Sequence, residues 1–94
     1  MCDSGISASD LETFIKRLDD IFRHMGSLED IEKWFKSQPC VILVSTADYL
    51  IKTAPPRKEI SVTFKMDEGS TVTKVIDVIL YPDQTFGLAG VHEP

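Results

Sequence analysis

The chain is poor in the features that announce a function. It has only two cysteines, Cys2 and Cys40, and no acidic run longer than two residues. It holds no Gly-rich phosphate loop and no Ser, His and Asp set that can be assembled with any specificity. Its longest aliphatic run, Val41-Ile42-Leu43-Val44, is far short of the roughly 20 apolar residues a helix needs to cross a bilayer, so no membrane is expected. The opening residues Met1-Cys2-Asp3-Ser4-Gly5 lack the basic start and apolar stretch of a secretion signal. A cytoplasmic location is therefore expected, and with it two free thiols. Cys40 follows a proline at the start of a strand, where burial raises a thiol pKa and silences it as a nucleophile.

Metal ligands are scarce as well. Cys2, His24, Cys40 and His92 do not stand in the close pairs that zinc sites usually show, so neither a metal nor any other cofactor is expected. Basic charge is short: ten Lys and Arg against fifteen Asp and Glu leave a net charge of −5. Such a balance repels phosphate backbones, which argues against nucleic acid as a partner. The shortness of the acidic runs argues equally against a mimic of nucleic acid.

What is present describes one domain. Ninety-four residues, 43% hydrophobic and 27% charged, fit a single core in an ordinary soluble protein spanning 1–94. The apolar spacing changes period in mid-chain, from helical before Pro39 to near alternation after Cys40. This predicts an α+β fold, with 1–8 a flexible tail, 9–37 helical, and 40–92 an antiparallel meander of four or five strands carrying the helices on one face.

Ser9 and Glu12 have the spacing of a capping box. After them Leu11, Phe14, Ile15, Leu18, Ile21, Phe22 and Met25 share a face, and Gly26 offers a left-handed stop. Ser27 with Asp30 restarts the pattern, and Leu28, Ile31, Trp34 and Phe35 define a second helix ended by Ser37-Gln38-Pro39. Acid and base pairs such as Glu12/Lys16, Asp19/Arg23 and Glu29/Lys33 stand four apart with the acid first, the order that best supports a helix. His24 falls at a helix end, where positive charge suits the dipole.

The strands can be placed in register from their turns. Asp67-Glu68-Gly69 fits a three-residue hairpin loop with glycine in the left-handed position, which sets Phe64 against Val72, Ile60 against Ile76 and Lys58 against Val78. Pro82-Asp83-Gln84 sets Leu80 against Phe86 and Val78 against Leu88. Both hairpins direct Ile60, Val62, Phe64, Val72, Ile76 and Val78 to the helices. They leave Val75, Ile79, Tyr81, Ala89 and Val91 on the outer face, an apolar surplus that predicts a contact surface for a second copy or another protein.

Asp77 interrupts that outer face, with Glu59 directly across. Like charges so placed are destabilising unless a cation joins them or one carboxyl keeps its proton. The segment 48–58, with Tyr49, the diproline Pro55-Pro56, Arg57 and Lys58, combines an aromatic with basic groups on a loop and could present a small anionic or peptide ligand. Tyr49, Arg57, Lys58, Glu59 and Asp77 are thus the candidate ligand residues, and no residue is expected to be catalytic. The sequence points to a small, acidic, non-catalytic interaction module, an adaptor, inhibitor or accessory subunit that pairs with itself through the sheet. The alternative is a cone-shaped fold that binds or transforms a small molecule between its helices and a curled sheet.

Overall fold

A computed structural model describes residues 4–48 and 57–94, and these form the α+β arrangement expected from the change of period. Tyr49 and the diproline lie outside the described residues, as does the question of a strand over 49–53.

The first helical unit runs through α1 (Ala8–Lys16) and α2 (Leu18–Arg23), joined by a tight turn in which the Arg17 N–H donates to the Phe14 carbonyl at 3.2 Å. Its cap is Ser7, not Ser9: the Ser7 hydroxyl accepts the Asp10 N–H at 3.1 Å. The start moves earlier because the preceding residue is already fixed. Ile6 donates its N–H to the Lys65 carbonyl and accepts the Asp67 N–H, both at 2.9 Å, so the segment expected to be a free tail is held from Ile6 onward. Gly5, at φ +83°, makes this crossing possible, since a Cβ there would lie 2.3 Å from the Met66 backbone.

Gly26 does not adopt the left-handed stop. The last carbonyls of α2 are taken by i to i+3 bonds from His24 and Met25, so the chain turns before it reaches the glycine. Ser27 then caps α3 (Leu28–Lys36) by accepting the Asp30 N–H at 3.1 Å, as its spacing predicted.

Four antiparallel strands follow in sequence order, β1 (Val41–Asp48), β2 (Arg57–Lys65), β3 (Thr71–Leu80) and β4 (Phe86–His92). Gly69 sits at φ +93°, and Phe64–Val72, Ile60–Ile76 and Lys58–Val78 pair as its loop dictates. The second turn closes with the Tyr81 N–H donating to Thr85 at 2.9 Å, Gln84 taking the left-handed position at φ +70°.

The core lies between the helices and the inner sheet face. Leu18, Phe22, Ile31 and Phe35 are fully buried there against Ile60, Val62 and Ile76. Phe14 stacks on Trp34 with ring centroids 5.4 Å apart and meets Phe64 edge-on at 5.6 Å, which makes Trp34 a packing residue at the rim.

Two departures matter for function. β4 slips by one residue between the pairs Val78–Leu88 and Asp77–Gly90, with Ala89 as the extra residue. Beyond the bulge every face is exchanged, so Val91 pairs with Ile76 and packs on the core rather than pointing outward, and His92 pairs with Val75 on the outer face. The second concerns Cys40, which is disulfide-bonded, against the expectation of a free thiol. It sits at φ +70° while its carbonyl accepts the Lys65 N–H at 2.8 Å. The one other cysteine in the sequence, Cys2, lies outside the described residues.

The sheet's two edges are treated differently. Leu88, paired with Val78, sends its N–H off β4 to the Oδ1 of Asp19 on α2 at 2.9 Å, while Asp19 Oδ2 accepts from Arg23 at 3.1 Å. α2 thus covers the β4 edge. Among the described residues β1 has a strand only on its β2 side. No helix of the described chain is long and apolar enough to cross a membrane.

Candidate functional site

The outer face carries a close polar cluster of Glu59, Asp77 and His92. Glu59 pairs with Asp77 as the hairpin register requires. Asp77 is the buried charged residue of the described chain, 8% exposed, because it occupies the middle of β3 with a strand on either side. Its Oδ1 is sealed from solvent and accepts no hydrogen bond. Gly90 stands opposite on β4 and adds no side chain over the carboxylate; a Cβ there would lie 3.6 Å from Oδ2.

The bulge adds the third member. His92 Nε2 lies 3.4 Å from Asp77 Oδ1, and ligand atoms of Glu59, Asp77 and His92 all fall within 4.8 Å of one another. On the far side of the ring, Nδ1 is 2.9 Å from the Glu93 carbonyl. A carbonyl can only accept, so Nδ1 carries the proton and Nε2 faces the carboxylate. The Glu93 carbonyl raises the His92 pKa above its ordinary value; partial desolvation opposes this, and the Asp77 and Glu59 charges add to it.

Sequence reasoning found the carboxylate pair and missed the histidine. The signal for it was weak: Ala89-Gly90, two small residues inside a strand, is the kind of place where a bulge forms.

The other expected sites are divided among separate surfaces. Val75 and Ile79 point to the outer face as expected, yet are already covered, at 4% and 7% exposure. Tyr81 lies across Gly87, Ala89 is exposed at the bulge, and Val91 has turned inward. The outer-face surplus is therefore not an open apolar patch. Arg57 and Lys58 border a cavity of about 210 Å³ with Leu28, Val78, Leu80 and Phe86. Asp77 and Glu59, on the opposite side of the sheet, do not reach it.

Among the described residues the exposed large apolar ones are instead Ile42 and Leu43 on β1, at 57% and 62%. Ile42 is the extra residue of a bulge between Val41 and Leu43, and Leu43 follows it opposite Thr63. From Val41 to Ala47 the strand has no charge and no proline. These are the usual means by which an edge strand is protected from pairing.

No protein-family model matches the chain, and neither a curated protein nor a solved structure does.

Proposed function

We propose that the protein is a small non-catalytic interaction module that pairs with a second copy of itself by strand addition at β1. The supporting observation is the contrast between the edges. The β4 edge is covered by α2 through Asp19, whereas β1 presents an uncharged stretch from Val41 to Ala47 with Ile42 and Leu43 exposed. An antiparallel pair about a two-fold axis uses the same strand twice, and the stretch from Val41 to Ala47 itself carries no like charge to oppose it. This moves the contact expected on the outer sheet face to the sheet edge. Roles as an adaptor, inhibitor or accessory subunit all follow from such a module, and its charge still disfavours nucleic acid.

The pocket reading has less support. The cavity beside Arg57 and Lys58, about 210 Å³, is smaller than the roughly 300–1,000 Å³ of usual ligand sites, and larger clefts, about 380 Å³ beside Leu11 and Val72 and about 540 Å³ beside Tyr81 and Asp83, are open to solvent. A cytoplasmic location fits poorly with the Cys40 disulfide, because such bonds persist mainly in oxidising compartments. Strand pairing at β1 does not depend on the compartment.

Light scattering coupled to size exclusion tests the proposal. The native chain should elute as a dimer, and the double substitution Ile42→Lys with Leu43→Lys should give a monomer with an unchanged circular dichroism spectrum. A native chain that is monomeric throughout, or a dimer indifferent to both lysines, removes it.

A further inference from the structure

We infer that Glu59, Asp77 and His92 form a binding site for a first-row divalent metal cation, with zinc as the best-suited member. The inference is independent of pairing at β1, since the site lies on the outer face of β2, β3 and β4.

Three observations carry it. The first is the unmet demand of Asp77: a residue 8% exposed, with Oδ1 sealed from solvent and lacking a hydrogen bond, sits across from a second carboxylate. Burying paired negative charge is unfavourable unless a positive group joins them.

The second is the orientation of His92. Because Nδ1 donates to the Glu93 carbonyl, Nε2 is the nitrogen turned toward Asp77 Oδ1, and in the neutral ring it presents a lone pair there. Two lone pairs facing each other require a proton or a cation between them. A backbone carbonyl on the far nitrogen is also the usual means of fixing a metal-binding imidazole.

The third is distance. Two donors of one tetrahedral zinc, each about 2.0–2.2 Å from the ion, stand about 3.3–3.6 Å apart. Asp77 Oδ1 and His92 Nε2 are 3.4 Å apart, at the length where a direct hydrogen bond between them is already poor. Glu59, on the neighbouring strand, supplies a carboxylate oxygen within 4.8 Å of the other two donors and completes the set. One nitrogen and two carboxylate oxygens suit zinc, with manganese and iron(II) as weaker competitors, and His92 at the exposed end leaves a coordination position for water or a partner's side chain.

Isothermal titration of the tag-free, full-length chain with zinc chloride tests this, with cobalt(II) absorption as a readout of coordination. The expected result is one ion per chain and visible cobalt bands of a low-symmetry site. Asp77→Asn and His92→Gln should each weaken binding at least tenfold, Glu59→Gln should weaken it less, and His24→Gln should leave it unchanged. All four variants keep the size of the original side chain, and circular dichroism establishes that each is folded. Failure of the native chain to bind zinc, binding that survives His92→Gln, or binding lost with His24→Gln would overturn the inference. In the first of those cases the Asp77 and His92 contact is a plain ion pair.

Discussion

Asp77 stands across β4 from Gly90 and not from Ala89, and this single slip decides which residues of the last strand face the core. Uninterrupted pairing from the Pro82-Asp83-Gln84 turn would bring Ala89 against Asp77, Val91 to the outside and His92 to the inside. An extra residue at position 89 reverses both.

Deleting Ala89 should therefore be well tolerated. Asp77–Gly90, Ile76–Val91 and Val75–His92 all survive in a regular ladder, and urea denaturation should show a loss within about 1 kcal/mol. Inserting one alanine after Ala89 should do more harm, about 2 kcal/mol, because Val91 leaves the core. If the deletion proves the more damaging change, the slip is not where the pairing places it.

Asp19 is expected to tie α2 to the sheet. Asp19→Ala removes the acceptor of the Leu88 N–H and should lower stability by about 1 kcal/mol, a modest figure because the Asp19 side chain is 42% exposed. The Leu88 N–H holds the Asp19 carboxyl below its ordinary 3.8; burial opposes this, and the Arg23 guanidinium adds to the lowering. Its folded pKa is depressed, so its contribution is full above the unfolded value and fades as pH falls through the folded one. Denaturation curves from pH 6 down to about pH 2 should show a shallower acid loss in Asp19→Ala than in the native chain.

Gly87 should resist substitution. A Cβ there would lie 2.6 Å from Tyr81 Cε2 and 3.1 Å from Asp19 Oδ1, so Gly87→Ala should cost about 1–3 kcal/mol. Tyr81→Ala should recover part of that loss, and a double-mutant cycle on thermal midpoints would show it as non-additivity. Strict additivity would mean that the ring does not lie over the glycine.

Phe35→Ala should be the most damaging change of the set. The ring is fully buried, 5.9 Å from Phe22 and 5.1 Å from Trp34, and truncation should cost about 3–5 kcal/mol. Trp34, the sole tryptophan, reports the transition by fluorescence. A change below about 1 kcal/mol would mean the helices do not pack as described.

Much of the architecture was legible because it rests on local chemistry. Gly69 fixes one turn, alternation fixes the faces of β2, and Ser27 with Asp30 fixes the start of α3. The misplaced features depend on contacts between distant segments. Ser7 replaces Ser9 because Ile6 is bound to the end of β2, and Gly26 is idle because α2 closes on itself one residue earlier. The carboxylate pair could be read from register alone. His92 could not, since a slip in β4 reflects the fit of the whole strand against β3. A search for metal ligands close together in sequence misses a set drawn from three strands, where neighbours across the sheet are far apart along the chain. Val75 and Ile79 were assigned the correct side, but their coverage depends on what surrounds them.

The hold of Asp19 on Leu88 also limits how large an assembly can grow. A sheet with both margins available can extend into a filament, whereas here one margin is capped from within the same molecule. Two chains joined through β1 would each present only their capped margin outward, so growth would end at a finite, closed pair.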